Sequence, residues 1–198
     1  ISIKMRLGRW KDDEIDRLMP VLERYPLKEI ILHPRTGVQM YNGKADVEAW
    51  AAAASKTQKP LVYNGDIDSV DAFKRISQRL EPIDSFMIGR WALVDPFLAA
   101  DIRAALSPSS LPLPREGRLE RLRAFMEDME AAWREVLHGP AHVLDKMKEL
   151  WSWTGLSLLK ADRSLKSLRR VKTLDEYHEC MDRLWETSTW SPESRIPQ

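Results

Sequence analysis

The sequence predicts an α/β domain followed by an all-helical one. Three observations carry this. Four short apolar runs each lead into a polar loop and then a helical pattern. A proline- and serine-rich stretch then breaks the rhythm, and no strand pattern appears beyond it.

The four runs begin near Ser2, Lys28, Pro60 and Asp84 and read SIKMR, KEIILH, PLVYN and DSFMI, rich in β-branched or large apolar residues. Helical periodicity follows each, over 12–25, 46–57, 69–81 and 95–106, and Pro20 should kink or shorten the first helix. Strands alternating with helices argue for βαβ units and a parallel sheet. Four units amount to about half of a typical (β/α)8 TIM barrel of ~250 residues; on periodicity alone a doubly wound open sheet fits nearly as well. Residues 107–117, SPSSLPLPREG, read as a linker. Beyond it, 118–138, 141–153, 157–170 and 173–188 read as helices, the last opened by the capping-box pair Thr173 and Glu176. The expected domains are therefore 1–106 and 118–198. Because the chain opens directly on a strand at Ile1, it is expected to continue something that precedes it.

Composition narrows the function classes. With 31 basic and 30 acidic side chains, net charge +1 exerts no global pull on nucleic acid, so any RNA surface must be local. A single cysteine, Cys180, allows no intramolecular disulfide and no cysteine-based zinc site, which suits a cytoplasmic protein. It sits in a helical pattern whose neighbours suit a structural role. His138, His142 and His178 lack ligand spacing, so no metal is expected. Neither a signal peptide nor a run long enough to span a bilayer is present in the sequence, and no membrane partner is expected.

In parallel barrels, functional side chains gather at the C-terminal ends of strands, and phosphate sites favour the last two loops. Here Lys4 and Arg6 end the first strand, and His33 and Arg35 the second. Asn64, Gly65 and Asp66 end the third, and Gly89 and Arg90 the fourth. Each is weak alone, since an Asn-Gly-Asp triplet is more often a plain turn. In the tail, Lys160, Arg163, Lys166, Arg169, Arg170 and Lys172 face a single Asp162, with spacings that place several on one helical face. Trp133, Trp151, Trp153 and Trp185 recur with Leu and Met at helical spacing and read mostly as core.

The order IKMRLG, HPRTGVQMYNGKAD, VYNGDI and MIGR resembles the second half of the tRNA-dihydrouridine synthase barrel, and HVLDKMKELWSWTG with VKTLDEYHE is similar to the helical tRNA-binding domain of some members. The resemblance implies the C-terminal half of an FMN-binding TIM barrel joined to a helical RNA-binding domain, with tRNA as partner and a monomer when complete. It implies an oxidoreductase that uses NADPH to reduce FMN, passes hydride to uracil C6 and protonates C5 from a cysteine. That cysteine belongs to the other half of the barrel, so this chain alone is expected to be inactive. Lys4, His33, Asn64, Gly65, Asp66, Gly89 and Arg90 would bind cofactor. Arg6 and Tyr41 would meet the flipped-out uracil, Arg35 the flavin or the RNA backbone, and Lys160, Arg163, Lys166 and Arg170 the tRNA phosphates. Two positions depart from the pattern: Val47 stands for the usual tryptophan after GKAD, and Trp91 follows Arg90. The alternatives are another FMN barrel oxidoreductase acting on a small molecule and a non-catalytic RNA-binding half-barrel protein.

Overall fold

A computed structural model describes residues 1–107, 114 and 116–191, which divide into two compact units, Ile1–Gly89 and Arg90–Gln198. Most of the 107–117 segment lies outside the described residues.

The first unit is α/β. Strand β1 (Ser2–Gly8) lies parallel to β2 (Glu29–Thr36), and β2 parallel to β3 (Leu61–Tyr63), in the order β1-β2-β3. Helices α1 (Ile15–Leu22), α2 (Val47–Ala54) and α3 (Val70–Arg79) follow the strands. Asp46 and Ser69 cap α2 and α3 by accepting from the Ala49 and Ala72 amides. Leu7, Met19, Ile30, Leu32, Tyr63 and Phe73 are buried between sheet and helices. The first helix is shorter than its pattern: residues 12–14 form a 3-10 turn and α1 ends at Leu22, with Pro20, which has no N–H to give, in its last turn. The fourth run forms a single parallel bridge, Tyr63 to Phe86, rather than a full strand. Its neighbour β3 is only three residues long, so the backbone exchange is limited to Tyr63 N–H with Ser85 O (3.1 Å) and Met87 N–H with Tyr63 O (2.8 Å). Phe86 nevertheless packs edge-on against Phe73, centroids 4.8 Å apart.

The second unit begins earlier than composition suggested. Helices α4 (Trp91–Val94) and α5 (Leu98–Leu106) belong to it, with α6 (Arg118–Val136), α7 (Pro140–Thr154), α8 (Asp162–Leu168) and α9 (Leu174–Thr187). Side-chain bonds explain the assignment. Thr154 donates to Leu93 O (2.8 Å), Ser157 donates to Val94 O, and the buried Arg118 grips both carboxylate oxygens of Asp101 at 2.5 and 2.8 Å. The unit is not wholly helical: β4 (Leu158–Leu159) and β5 (Thr189–Trp190) pair antiparallel. The helix expected over 157–170 is therefore confined to α8. Leu158 is fully buried in the pair, and Lys160 turns the chain at φ +59° before α8 starts. Met147, Trp151, Leu158, Tyr177, Cys180 and Leu184 form the core, and Trp151 donates to the Tyr177 hydroxyl at 3.0 Å. The buried Cys180 thiol gives its hydrogen to Ser164 O, and burial raises its pKa. Thr173 caps α9 by accepting from Glu176 N–H, while the Glu176 carboxylate takes the Lys172 N–H, one residue before the usual partner.

Candidate functional site

The C-terminal ends of the three strands in the first unit bring several expected residues together. On a strand, residues two apart share a face, so Lys4 with Arg6, and His33 with Arg35, project to one side. The parallel register sets Arg6 beside His33 and Lys4 beside Ile31.

Two loops close over this end. Gly37 N–H bonds to Gly8 O at 2.7 Å and Val38 N–H to Arg9 O at 2.9 Å, joining the loop after β2 to that after β1. Gly8 admits no side chain, because a Cβ there would stand 2.3 Å from Lys11 O. The first loop is held by Glu14, whose carboxylate accepts the consecutive N–H groups of Arg9, Trp10 and Lys11 at 2.8–3.0 Å. Those bonds, Arg9's first, pull the Glu14 pKa down. Trp10, 64% exposed, is displayed from this loop with the Arg9 guanidinium 4.9 Å from its ring centre. Neither Glu14 nor Trp10 was expected at the site; three adjacent amides converging on an acid five residues ahead leave no periodic signal.

Arg6 gives two bonds to the second loop, to Thr36 O (2.7 Å) and Met40 O (2.6 Å), and lies 5.2 Å over the Tyr41 ring. Tyr41 is about half exposed, 6.1 Å between centroids from His33. The segment NGKAD is fixed by three contacts. Gly43 O accepts from Arg35 (2.6 Å), Ala45 N–H donates to Asp66 (2.7 Å), and Asp46 N–H donates to Pro34 O (2.8 Å). Val47, which departs from the pattern, is the first residue of α2 and half-buried.

Arg35 is 3% exposed and turned inward. Its Nη2 meets both Asp66 oxygens at 2.9 and 2.7 Å, and its Nη1 stands 2.8 Å from His33 Nε2. His33 is buried too. Its pKa falls to about 4, first through desolvation and then through the positive charges of Arg35, Arg6 and Lys4; Asp66 opposes them. Lys4 itself is exposed.

Asn64 donates to Met87 O at 2.8 Å, tying the end of β3 to the 84–88 run. A Cβ on Gly65 would come within 2.7 Å of Ala45 Cβ and 3.1 Å of the Tyr63 hydroxyl, so only glycine fits. Gly89 has room: a Cβ there would meet only Asn64 Nδ2, at 3.7 Å. Arg90 is the next residue in the chain and opens the second unit, where it N-caps α4 ahead of the half-buried Trp91.

Within the second unit, Lys160, Arg163, Lys166, Arg169, Arg170 and Lys172 are all exposed. They do not form one helical stripe. Arg163 and Lys166 lie on α8, Lys160 precedes it, and Arg170 follows in a turn. Only Arg163 and Lys166, three residues apart, thus share a face of this helix. Among the described residues no group of three His, Cys, Asp or Glu is placed to hold a metal, and no helix is long and apolar enough to cross a membrane.

The model of the family described as "Dihydrouridine synthase (Dus)" matches residues 1–182. A protein named "Probable tRNA-dihydrouridine synthase" from Rhodobacter capsulatus is 37% identical over 109 residues, covering 54% of this chain and 33% of that protein. One of the same name from Aquifex aeolicus is 30% identical over 103 residues, 52% of this chain and 32% of its own length. A "tRNA-dihydrouridine synthase B" from Xanthomonas campestris is 32% identical over 138 residues, 63% and 40% respectively. The chain thus matches only about a third to two-fifths of the length of these relatives.

Proposed function

Since the chain belongs to the dihydrouridine synthase family, we propose that it is the C-terminal portion of an FMN-dependent tRNA-dihydrouridine synthase, reducing uridine in tRNA at the expense of NADPH. The parallel strands of the first unit would be the later strands of its TIM barrel, and the second unit would dock the tRNA.

The observation that carries the proposal is the cluster of cations around a buried, neutral His33. Lys4, Arg6 and Arg35 are close enough to depress its pKa, with Asp66 alone opposing them. Such a field fits an anionic cofactor, since positive charge at strand ends stabilises both a phosphate and electron density gained by a ring. When bound, FMN supplies hydride chemistry that no amino-acid side chain provides. The residues here would bind and orient. Lys4 and His33 would meet the ring. Asn64, Gly65 and Gly89, with Arg90 next in the chain, would hold the phosphate, Gly89 offering an open backbone approach. Asp66 would act by holding Arg35. Arg6 and Tyr41, already in contact, would receive the extruded uracil, a donor fork and an aromatic face suiting its carbonyls and ring.

The exposed cations about α8 would follow tRNA phosphates and make affinity salt-dependent. The cysteine that protonates C5 would come from the part of the barrel this chain does not span, so the chain alone would bind without turning over. Two measurements test the proposal: quenching of FMN fluorescence by the protein, and binding of unmodified tRNA to it. Uptake of both ligands is expected; binding of neither would end the proposal.

A further inference from the structure

We infer that Arg35 and Asp66 are positioning residues that hold His33 as a neutral imidazole with its proton on Nδ1, so that the site presents a fixed N–H donor to an acceptor atom of its ligand.

The inference follows from donor counting. A guanidinium has five N–H groups and no lone pair, so the 2.8 Å contact between Arg35 Nη1 and His33 Nε2 requires Nε2 to accept. Nε2 is therefore bare. A doubly protonated ring has no lone pair there and would set two donors against each other, both buried. Turning the ring over would put a C–H against Nη1 and leave a buried donor without a partner. The neutral ring with Nδ1–H is the form that gives Arg35 Nη1 its acceptor. Nδ1 meets no protein acceptor among the described residues, so its hydrogen is left for a ligand.

The arrangement works only if Arg35 cannot swing away, and two loops prevent that. Asp66 takes Nη2 with both oxygens and is itself anchored by Ala45 N–H, while Gly43 O takes Nη2 from the other side. Asp66 sits at φ +42°, a backbone conformation that asparagine and aspartate adopt more readily than most residues. The charged groups facing the ring are Lys4 and Arg6 from β1, Arg35 from its own strand and Asp66 from the loop after β3, and the three cations all disfavour a second proton. On the flavin reading, the acceptor is an electron-rich oxygen or nitrogen of the isoalloxazine ring. That part rests on the proposed function; the tautomer does not.

The test is long-range 1H–15N correlation NMR on the intact protein labelled with 15N-histidine, the signal being assigned by its loss in His33→Gln. A protonated Nδ1 and a bare Nε2 are expected, unchanged between about pH 8 and about pH 5.5, below the ~6.5 at which an unperturbed imidazole titrates. In Arg35→Met the titration midpoint should rise by at least one pH unit, a tenfold gain in proton affinity, and the second tautomer should appear. Arg35→Lys, which keeps a cationic donor, should restore the low midpoint. A proton on Nε2 in the unaltered protein, or two exchanging tautomers, would overturn the inference even if Arg35→Met does not fold. So would an unmoved midpoint in a folded Arg35→Met. FMN titration separates the two ideas. The expected tautomer without FMN uptake leaves the positioning role standing and removes the flavin reading; FMN uptake with the wrong tautomer does the reverse.

Discussion

Replacing Asp66 with asparagine should cost far more stability than removing the same kind of partner at the surface. Two arginines make two-bond contacts with a carboxylate in the first unit. Arg35 does so with Asp66 at 2.7 and 2.9 Å, and Arg79 with Glu48 at 2.6 and 2.7 Å. Distances are thus matched; the surface pair has the better geometry, Arg79 using its Nε/Nη2 fork where Arg35 offers Nη2 alone. Burial runs the other way: Arg35 is 3% and Asp66 33% exposed, against 64% and 63% for Arg79 and Glu48. In Asp66→Asn the new amide would keep one acceptor oxygen, turn an NH2 toward Arg35 in either orientation and toward Ala45 N–H as well in one of them, and leave the Arg35 charge uncompensated away from water. Removing one partner of a buried pair costs about 3–5 kcal/mol; with Asp66 partly wet, we expect about 2–4 kcal/mol. An exposed pair contributes about 0–1 kcal/mol, so Glu48→Gln should be nearly silent. In urea unfolding followed by circular dichroism, the first variant should lower the midpoint by about 1–2 M and the second by less than about 0.5 M. Equal shifts would refute the idea that burial, and not bond geometry, makes the Arg35–Asp66 contact matter.

Further outcomes follow from the same structure. Gly65→Ala should destabilise by about 1–3 kcal/mol, because its Cβ would stand 2.7 Å from Ala45 Cβ. Gly89→Ala should change stability by no more than about 0.5 kcal/mol yet weaken FMN binding; thermal melts and fluorescence titrations read the two effects separately. For His33, the folded pKa of about 4 lies below the unfolded value of ~6.5, so between them the unfolded chain binds more protons. Its contribution is present above pH ~6.5 and lost as pH falls toward 4, and His33→Gln should flatten the stability slope there by up to about 1.4 kcal/mol per pH unit. Arg163→Ala with Lys166→Ala should weaken tRNA binding, and the slope of log affinity against log salt should flatten by about 1–2 on filter binding; an unchanged slope would place the tRNA elsewhere.

Much of the first unit was legible because its strands advertise themselves. KEIILH and PLVYN are apolar runs bounded by turns, and Asp46 and Ser69 mark the starts of α2 and α3. DSFMI reads the same way, but a strand forms only as far as its neighbour reaches, and β3 is three residues long. Two-residue strands such as β4 and β5 have no period to detect, so the tail looked wholly helical. The proline-rich stretch marked a break in composition but not in packing, which depends on hydroxyls at Thr154 and Ser157 reaching carbonyls some sixty residues back. At the site, sequence located the strand-end residues but not their roles. Arg35 looked like a ligand-facing arginine, and its partner 31 residues on turns it inward. Charge spacing of three and four placed several of the cations from Lys160 to Lys172 on one helical face, whereas the left-handed turn at Lys160 precedes α8, which ends at Leu168.

The most direct test of the central claim is to measure dihydrouridine in tRNA after incubation with the intact protein, this chain together with the barrel half proposed to precede it, in the presence of FMN and NADPH. Mass spectrometry should find uridines heavier by two hydrogens, and none when this chain is supplied alone. Loaded with FMN and bound to tRNA, an intact protein that leaves every uridine unreduced would contradict the account.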